Sequence, residues 1–377
     1  MTQTDVPERL SLYIPDLTGG GAQRAVLNLA AGLAEAGGPV DVVVGEGGGE
    51  MASPPPGVTV VPLAERRIGY GDRTLRLARY LRRARPSHMI SALDIASVAT
   101  VAKKVSGSQT KVVMTIQTHL SQQFRDRDGF HGFVRRQLVA ALYPLADGLV
   151  AASRGTAEDA RRMLLKDRPI HVIHNPAVGP EVWERQNDDP GHPWLAPDTL
   201  PVILGAGRIV HQKDFLTLAK AFDTVRQRMG ARLIILGQPD PREPDIHREL
   251  MDFIRQRELE DVVAFPGFVA NPWAWMKRAS VFTLSSVYEG FGNVVAEALA
   301  TGTPVVSTDC EAGPAEILDN GRYGRLVPVG DATAMAEAIV ATLEGPVNRA
   351  ALVERSRDFT IPRVAAQYRA YMGEIPD

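Results

Sequence analysis

Short runs of β-branched and aliphatic residues alternate with longer amphipathic segments along the whole of this 377-residue chain. The alternation starts with the run Leu10–Ile14 and the helical pattern Ala22–Ala36, and it is still present at Arg325–Val327 and Ala332–Leu343. Strands separated by helices pair in parallel, so such a chain folds into parallel sheets that helices cover on both faces. The pattern therefore predicts an α/β fold.

The length of the chain and one break in the alternation predict two domains. A chain of 377 residues is about two typical domains long. The alternation stops between Pro176 and Pro201, a stretch that contains six prolines and no periodicity. We expect a Rossmann-like N-terminal domain over 1–176, a linker over 177–200, a second Rossmann-like domain over 201–361, and a final helix over 362–377 whose return to the first domain is a further expectation.

Charge and cysteine content indicate which partners and which cellular compartment suit this chain. Residues 1–175 carry 22 Lys and Arg against 16 Asp and Glu, a balance of +6, whereas the remaining residues carry 20 against 28, a balance of −8. The two halves are therefore expected to meet different partners. Cys310 is the single cysteine, and neither a signal peptide nor an uncharged apolar run of ~18 residues is visible, which favours the cytoplasm. Few aromatic residues and a slightly negative total charge argue against nucleic-acid binding.

Gly19-Gly20-Gly21-Ala22 stands between the first predicted strand and the first predicted helix. Glycines there let the backbone approach a ligand, and the free N–H groups of a helix start favour an anion such as a diphosphate. A tight strand–helix turn without a ligand would use the same residues. The segment is not GxGxxG, and Glu46 lies in a glycine-rich loop, so a nicotinamide dehydrogenase is disfavoured.

Two cations, Arg208 and Lys213, share the loop that follows the first predicted strand of the second half, Val202–Ala206. Two fixed cations at a strand end can neutralise a departing diphosphate. The alternative is a solvated loop with surface cations. The position at a strand end favours the first interpretation.

Glu289 and Glu297 are separated by seven residues, the first in a glycine-containing loop and the second in the predicted helix that follows. Carboxylates suit sugar and ribose hydroxyls because each oxygen pair accepts several hydrogen bonds. The helix start at Gly292–Asn293 again presents N–H groups to negative charge. A helix cap followed by one solvated glutamate is the alternative. However, the neighbours of Glu297 at positions 294, 295, 298 and 299 are all apolar.

Taken together, these residues resemble the retaining glycosyltransferases of family four, which have the GT-B fold of two Rossmann-like domains facing across a cleft. The resemblance covers nearly the whole chain. Gly19–Ala22 is similar to the first loop of that family, Val172–Pro176 to its domain-boundary segment, and Gly207–Lys213 to its donor-phosphate loop. Glu289–Glu297 is similar to the E-x7-E signature, and the Gly-Thr-Pro-Val-Val run that follows makes this the most specific part.

The resemblance implies that the chain transfers a hexose from a UDP- or GDP-linked donor with retention at the anomeric carbon and without a metal ion. The nucleotide sugar is a substrate, and no cofactor is expected. It implies that Arg208 and Lys213 bind the donor diphosphate, that Glu289 touches the transferred sugar, and that Glu297 touches the ribose. Phe268 is expected near the base, and the backbone around Phe291 near sugar or phosphate oxygens. The implied donor-binding residues are Gly20, Gly21, Arg208, Lys213, Phe268, Glu289, Phe291, Gly292, Asn293 and Glu297, and the implied catalytic residues are Arg208, Lys213, Glu289 and His119.

One departure from the family concerns a histidine that many members carry just after the strand matched here by Val112–Ile116. Gln117 stands at that position, and His119 follows two residues later. His119 is therefore a candidate for the catalytic loop, with an ordinary loop histidine as the alternative. Asp126-Arg127-Asp128 has the spacing of a metal site in a different transferase fold, but its charged loop is the wrong context, so no metal site is expected.

The segment Arg73–Arg85 carries six arginines interleaved with leucines and a tyrosine, which predicts a basic amphipathic helix. A solvated face is one interpretation, and contact with anionic lipid or with a lipid-linked acceptor is the other. We expect the acceptor, a lipid-linked or surface-polysaccharide saccharide, to bind the first domain and the donor to bind the second. The expected location is the cytoplasm, and peripheral attachment to the inner face of the cell membrane is the alternative. Rival functions are a GT-B nucleotide-sugar epimerase or hydrolase and a non-catalytic nucleotide-sugar sensor.

Overall fold

The computed structural model describes residues 8–17, 20–46, 54–93, 97–125 and 130–376. Two compact units are present, one formed by Met1–Ala177 with Phe359–Asp377 and the other by Val178–Asp358. Each unit contains one sheet in which every strand pair is parallel. The predicted fold class of two parallel α/β sheets is thereby confirmed.

The sheet of the first unit has seven strands in the order β3-β2-β1-β4-β5-β6-β7. Its central strands are buried along their whole length, because helices pack on the sheet and the strand sequences are continuous apolar runs. Asp41 is an exception within such a run, and its charge is met by the Arg9 guanidinium at 2.8 Å. The strands are β1 Leu10–Ile14, β2 Val40–Val44, β3 Val58–Pro62, β4 His88–Ala92, β5 Lys111–Ile116, β6 Gly148–Ala151 and β7 His171–Val172.

The helices that connect these strands follow the amphipathic pattern of the sequence. In the second of them, Leu77 and Leu81 are fully buried, while Arg79, which lies between them, is exposed. The sixth starts at a capping box in which the Ser153 hydroxyl accepts from Thr156 N at 3.2 Å. The helices are α1 Gly21–Glu35, α2 Tyr70–Ala84, α3 Val98–Ser106, α4 Leu120–Arg125, α5 Phe130–Leu142 and α6 Arg154–Met163.

The sheet of the second unit has six strands in the order β10-β9-β8-β11-β12-β13. From β8 the chain first adds β9 and β10 on one side, and it then adds β11, β12 and β13 on the other side. The order therefore reverses between β8 and β11, which is a topological switch point. The strands are β8 Val202–Ala206, β9 Arg232–Leu236, β10 Val263–Gly267, β11 Val281–Leu284, β12 Val305–Thr308 and β13 Arg325–Val327.

Several helices of the second unit start with proline at their first turn, where the missing N–H group costs nothing. Others start with an Asp or Asn whose side chain accepts a backbone N–H, as Asp331 does from Ala334 at 2.9 Å. The helices are α7 Pro180–Arg185, α8 Phe215–Arg228, α9 Pro244–Gln256, α10 Pro272–Arg278, α11 Asn293–Ala300, α12 Pro314–Ile317, α13 Ala332–Glu344 and α14 Arg349–Ser356.

The segment predicted as a linker, 177–200, differs in the structure, where all of it from Val178 onward belongs to the second unit. It contains α7 and a 3-10 turn over Pro193–Leu195. Trp183 Nε1 donates to the carbonyl of Ala300 at 3.3 Å, which ties the segment to α11. The reason for the difference is that the prolines at 180 and 193 begin helical turns here, whereas the sequence interpretation took them as breakers.

The last helix, α15 Ile361–Gly373, lies in the first unit and packs against α1. Contact with α1 is close at Gly32, where a Cβ atom would lie 2.7 Å from Ile361 Cγ2. Arg369 donates to the carbonyl of Leu33 at 2.8 Å, and the Tyr371 hydroxyl accepts from Leu149 N at 3.1 Å. Side chain and backbone contacts therefore hold the end of the described chain on the first sheet.

Candidate active site

The predicted donor residues of the second unit gather around the switch point between β8 and β11. The loop after β8 carries Arg208 and Lys213, and the loop after β11 carries Glu289. In open parallel sheets, ligands bind at the carboxyl ends of the strands where the strand order reverses. The topology therefore places these two loops at the preferred ligand position of such a sheet.

Lys213 and Glu289 form an ion pair across the switch point. Lys213 Nζ lies 2.5 Å from Glu289 Oε1, and the side chains are only 17% and 8% exposed. The buried Ser286 hydroxyl donates to the same carboxylate oxygen at 2.7 Å. Two donors therefore fix the position of the carboxylate, and the pair lies in surroundings where charge interactions are stronger than in water.

Backbone and hydroxyl contacts join the two loops on either side of this pair. Ser285 Oγ donates to the carbonyl of Lys213 at 2.8 Å, and Val287 N donates to the carbonyl of Gln212 at 2.8 Å. The Gln212 amide nitrogen in turn donates to the carbonyl of Tyr288 at 3.0 Å. Lys213 is thus held at its backbone as well as at its side chain, which limits the conformations that its ammonium group can adopt.

Two glycines are required by the backbone at this edge. Gly207, which directly follows β8, has a φ of 152°, and a Cβ atom there would lie 3.1 Å from Lys213 Cε. Gly292 has a φ of 93° and is the residue that precedes α11. Both conformations disfavour any residue with a side chain. The lysine stem consequently passes over bare backbone, and α11 begins directly after the loop of Glu289.

Helix α11 carries the second predicted glutamate. Glu297 is 1% exposed, which agrees with its apolar neighbours in the sequence. Phe291 is 2% exposed, so the residue packs in the interior of the unit. Asn293 is the first residue of the helix and is half-buried. The E-x7-E pair therefore consists of two buried carboxylates, one in the loop before α11 and one within this helix, Glu289 being 6% exposed.

Arg208 points to a different partner than Lys213 does. Its guanidinium lies 3.0 Å from Asp240, in the loop after β9, and it is 60% exposed. Arg242 lies 2.6 Å from the same carboxylate, and its hydrogen bonds hold the pKa of Asp240 well below the usual range. The two cations that the sequence groups in one loop are therefore anchored separately, one partly buried beside Glu289 and one exposed beside Asp240.

The remaining predicted donor residues lie at other strand ends. Phe268 follows β10 and is 74% exposed. In the first unit, Gly20 has a φ of 134° and directly precedes α1, which begins at Gly21. Gly19 lies outside the described residues. Phe268 thus belongs to the carboxyl edge of the second sheet and Gly20 to that of the first.

His119 is enclosed in the first unit. Its ring is 2% exposed, and Nδ1 lies 3.5 Å from Asp159 Oδ2, a carboxylate of α6 that is 1% exposed. Ser121 N also donates to Asp159, at 3.0 Å. Gln117, at the carboxyl end of β5, is half-buried. The histidine is therefore packed beneath α6, and its role as the catalytic-loop histidine stays a prediction.

Sequence reasoning did not single out Ser286, Asp240 or Thr308. Thr308 Oγ1 donates to the carbonyl of Ser286 at 2.6 Å and so supports the serine that holds Glu289. Cys310 is buried beside this network, and burial, with the nearby charge of Glu289, raises the pKa of its thiol to about 12. The only sequence signal for the network was a pair of serines between a predicted strand and the glutamate.

The part of the chain that the structure describes contains neither a cluster of metal ligands nor a membrane-spanning helix. Within it, no three His, Cys, Asp or Glu side chains are grouped so that they could hold a metal ion. The Asp126-Arg127-Asp128 segment lies outside the described residues. No helix among those described combines the length and the apolar character that crossing a membrane requires.

Two family models match the chain, one over each half. The model described as Glycosyltransferase Family 4 matches residues 19–177, and the model described as Glycosyl transferases group 1 matches residues 200–345. Together the two matches support a glycosyltransferase of the family-four type. The second match contains Arg208, Lys213, Glu289 and Glu297, so the ion pair of this glycosyltransferase lies within its group 1 region.

Curated relatives of this glycosyltransferase act on saccharides according to their names. The N-acetylgalactosamine-N,N'-diacetylbacillosaminyl-diphospho-undecaprenol 4-alpha-N-acetylgalactosaminyltransferase of Campylobacter jejuni is 28% identical over 255 residues, which cover 67% of this chain and 66% of that protein. The lipopolysaccharide core biosynthesis glycosyltransferase LpsE of Rhizobium meliloti is 34% identical over 43% of this chain and 45% of that protein. The matched part spans less than two thirds of either relative.

Solved structures share the fold over nearly the whole chain. Sucrose-phosphate synthase from Thermosynechococcus elongatus superimposes with a TM-score of 0.78 at 20% identity, covering 97% of this chain and 99% of that one. Alr3699/HepE from Anabaena, in its complex with UDP-glucose, gives a TM-score of 0.78 at 18% identity, with 97% and 99% coverage. At 18–20% identity, these superpositions establish only the fold of this glycosyltransferase, which is GT-B.

Proposed function

We propose that this chain is a retaining, metal-independent hexosyltransferase that moves a sugar from a UDP- or GDP-linked donor to a saccharide acceptor. The observation that carries the proposal is the buried Lys213–Glu289 pair at the switch point of the second sheet. The family matches of both halves support glycosyl transfer as the reaction class. Retention is supported by the family resemblance of the E-x7-E region.

Lys213 is proposed to stabilise the diphosphate as it leaves the sugar. Its ammonium group is already fixed by Glu289 and its backbone by Ser285, so the charge needs little reorganisation during the reaction. Arg208 is a second cation in the same loop, and its exposure leaves it accessible to a phosphate. Charge supplied by the protein in this way supports a reaction that does not depend on a metal ion.

The two glutamates are proposed to bind different parts of the donor. Glu289 lies in the loop before α11, where it can reach the transferred sugar, and Glu297 lies about one turn into the helix, where it can bind the ribose. Both carboxylates are buried, which makes a hydrogen bond to a hydroxyl stronger than it is in water. The exposed ring of Phe268 is proposed to contact the base.

The acceptor is proposed to be a lipid-linked or surface-polysaccharide saccharide that binds the first unit. The names of the Campylobacter and Rhizobium relatives, which refer to an undecaprenol-linked saccharide and to the lipopolysaccharide core, support this class. The exposed arginines of α2 support peripheral contact with an anionic membrane, where such acceptors reside. Arg79 and Arg83 are both exposed on this helix.

Calorimetric titration with UDP and GDP, combined with steady-state kinetics, tests the donor site. Glu297→Gln should weaken binding of the free nucleoside diphosphate by roughly 1–3 kcal/mol, because a buried charged hydrogen bond is lost. Glu289→Gln should leave that binding nearly unchanged and lower kcat strongly, because its contact with the sugar strengthens as the bond breaks.

The opposite pattern of effects would reverse the two roles. If neither substitution changed binding or rate, the donor site would not lie at this location. Donor turnover in the absence of an acceptor would indicate an epimerase or hydrolase instead of a transferase. Tight binding without turnover, tested across acceptors, would indicate a nucleotide-sugar sensor.

A further inference from the structure

The loops after β8 and β9 are joined by their backbones beyond the ends of the two strands. Ile209 N donates to the carbonyl of Gln238 at 2.9 Å. Gly237 has a φ of 136°, and a Cβ atom there would overlap the carbonyl oxygen of Gly207. The two loops are therefore in close backbone contact, which holds Asp240 at a defined place beside the loop after β8.

The Asp240 carboxylate accepts four hydrogen bonds from arginines, and three of them come from Arg242. Oδ1 accepts from Arg242 N at 3.0 Å and from Arg242 Nε at 2.9 Å, and Oδ2 accepts from Arg242 Nη2 at 2.6 Å. Arg208 Nη1 donates the fourth, to Oδ2 at 3.0 Å. The side chain of Asp240 is only 5% exposed, so its charge has to stay paired. Arg242 can supply that pairing without Arg208, because its guanidinium fork reaches both oxygens.

The two arginines do not hold Asp240 equally. The pKa of Asp240 lies well below its usual range, chiefly because of the hydrogen bond from the Arg242 side chain, and the charge of Arg208 contributes less than each interaction of Arg242. Arg208 makes a single hydrogen bond from a guanidinium that is 60% exposed. Ion pairs of exposed groups contribute little to stability. Arg208 can therefore leave Asp240 at a small cost while the carboxylate remains paired.

A diphosphate bound at the switch point would compete with Asp240 for Arg208. A guanidinium binds phosphate oxygens in the same forked geometry as it binds a carboxylate. Lys213, in the same loop, is held by Glu289 and would attract a diphosphate to this place. Lys213 is thus the fixed cation of the loop, whereas Arg208 is the cation whose side chain can turn.

We propose that Asp240 and Arg242 are positioning residues for the donor diphosphate. Asp240 holds the Arg208 guanidinium beside the switch point in the ligand-free chain, and a bound diphosphate takes over this guanidinium while Arg242 keeps Asp240 paired. We call this exchange the handover. It rests on the proposed function in taking the donor to bind at this loop. It goes further in assigning a role to two residues that act on the donor only through Arg208.

Calorimetric titration of Arg242→Gln with UDP and with GDP tests the handover. Without Arg242 the buried Asp240 charge depends on Arg208, so the nucleotide should bind about threefold to tenfold more weakly. Adding Asp240→Asn should restore most of the lost affinity, because no carboxylate retains Arg208. A merely structural role of Arg242 predicts no such rescue. The matched control is Arg248→Gln, which removes an exposed arginine of α9 that pairs with Asp245 and should leave the affinity unchanged.

Arg208→Gln separates the handover from a general loss of positive charge. In a chain that carries this substitution, Arg242→Gln should cause no further fall in affinity, because no guanidinium is left to exchange. A general effect of charge would persist in that chain. An equal fall with and without Arg208, or failure of Asp240→Asn to restore affinity, would overturn the proposal.

Unfolding of the ligand-free variants tests the other half of the handover. Because Arg242 makes three of the four hydrogen bonds to Asp240, Arg242→Gln should lower the unfolding midpoint more than Arg208→Gln does. The reverse order would contradict the proposal. If the unchanged chain bound neither UDP nor GDP, the proposed function would fail and the handover with it. Nucleotide binding that Arg242→Gln leaves unchanged would remove the handover alone.

Discussion

Replacing Lys213 with methionine should destabilise the second unit. The substitution keeps an apolar stem of similar length but leaves the buried Glu289 carboxylate without the ammonium group that lies 2.5 Å away. Breaking a buried ion pair by removing one partner costs about 3–5 kcal/mol. Because Ser286 still donates to the carboxylate, we expect the lower end, about 3 kcal/mol, which corresponds to a fall in Tm of roughly 6–12 °C for a unit of this size.

A double-mutant cycle separates the pair from its surroundings. Glu289→Gln removes the charge that Lys213→Met leaves behind and keeps the shape of the side chain, so the double variant should recover about 2 kcal/mol. Activity should not recover, because kcat depends on the cation and should fall on the order of 10²-fold or more in both variants that lack it. Urea unfolding followed by tryptophan fluorescence reports on the second unit, which contains Trp183, Trp194, Trp273 and Trp275.

Two results would refute this reasoning. A coupling energy below about 0.5 kcal/mol, with all variants folded, would mean that the two side chains do not interact as a buried pair. A Lys213→Met variant that loses stability as expected but keeps its kcat would make the lysine a structural residue. In that case the diphosphate would be stabilised elsewhere, and Arg208 would be the first residue to examine.

Further outcomes follow from the other charged groups. Activity should survive EDTA, and a complete loss that manganese restores would contradict metal independence. Because Arg242 depresses the pKa of Asp240, the ionised carboxylate stabilises the fold at pH values above the ordinary pKa range of Asp. The difference in stability between the unchanged chain and Asp240→Asn should therefore shrink as the pH falls below that pKa range. Acid unfolding curves of the two chains measure this difference. Arg79→Gln/Arg83→Gln should weaken vesicle binding at 0.1 M salt without lowering the unfolding midpoint, because both side chains are exposed. Unaltered co-sedimentation would exclude α2 from the contact.

The strands could be predicted from the sequence because burial on both faces demands continuous apolar runs. Leu10–Ile14 and Val202–Ala206 occupy the predicted positions with the predicted bounds. Short helices were harder to predict. Helix α10 begins at Pro272, and α3 over Val98–Ser106 is rich in β-branched residues and starts without a side-chain cap. Proline at a first helical position and a valine-rich helix both resemble non-helical sequence when only local propensity is considered.

Parts of the site could be predicted from local sequence and parts could not. The apolar neighbours of Glu297 indicated its burial, since α11 packs within the unit on most of its sides. The partner of Arg208 was not visible, because Asp240 follows β9 and becomes a neighbour only when β9 pairs with β8. A contact between loops depends on the order of strands in the sheet, which local patterns do not contain.

The Lys213–Glu289 pair is the clearest example of this dependence on topology. The two residues are 76 positions apart, and they meet because β11 pairs with β8 on the side opposite to β9. The first sheet repeats this arrangement in its order β3-β2-β1-β4, so Gly20 follows β1 as the loop of Lys213 follows β8. One switch point thus offers backbone at a helix start, and the other offers the partly buried Lys213 ammonium group beside the Glu289 carboxylate. A leaving diphosphate gains more from the fixed cation than from backbone N–H groups alone, which favours the second unit as the site of the donor.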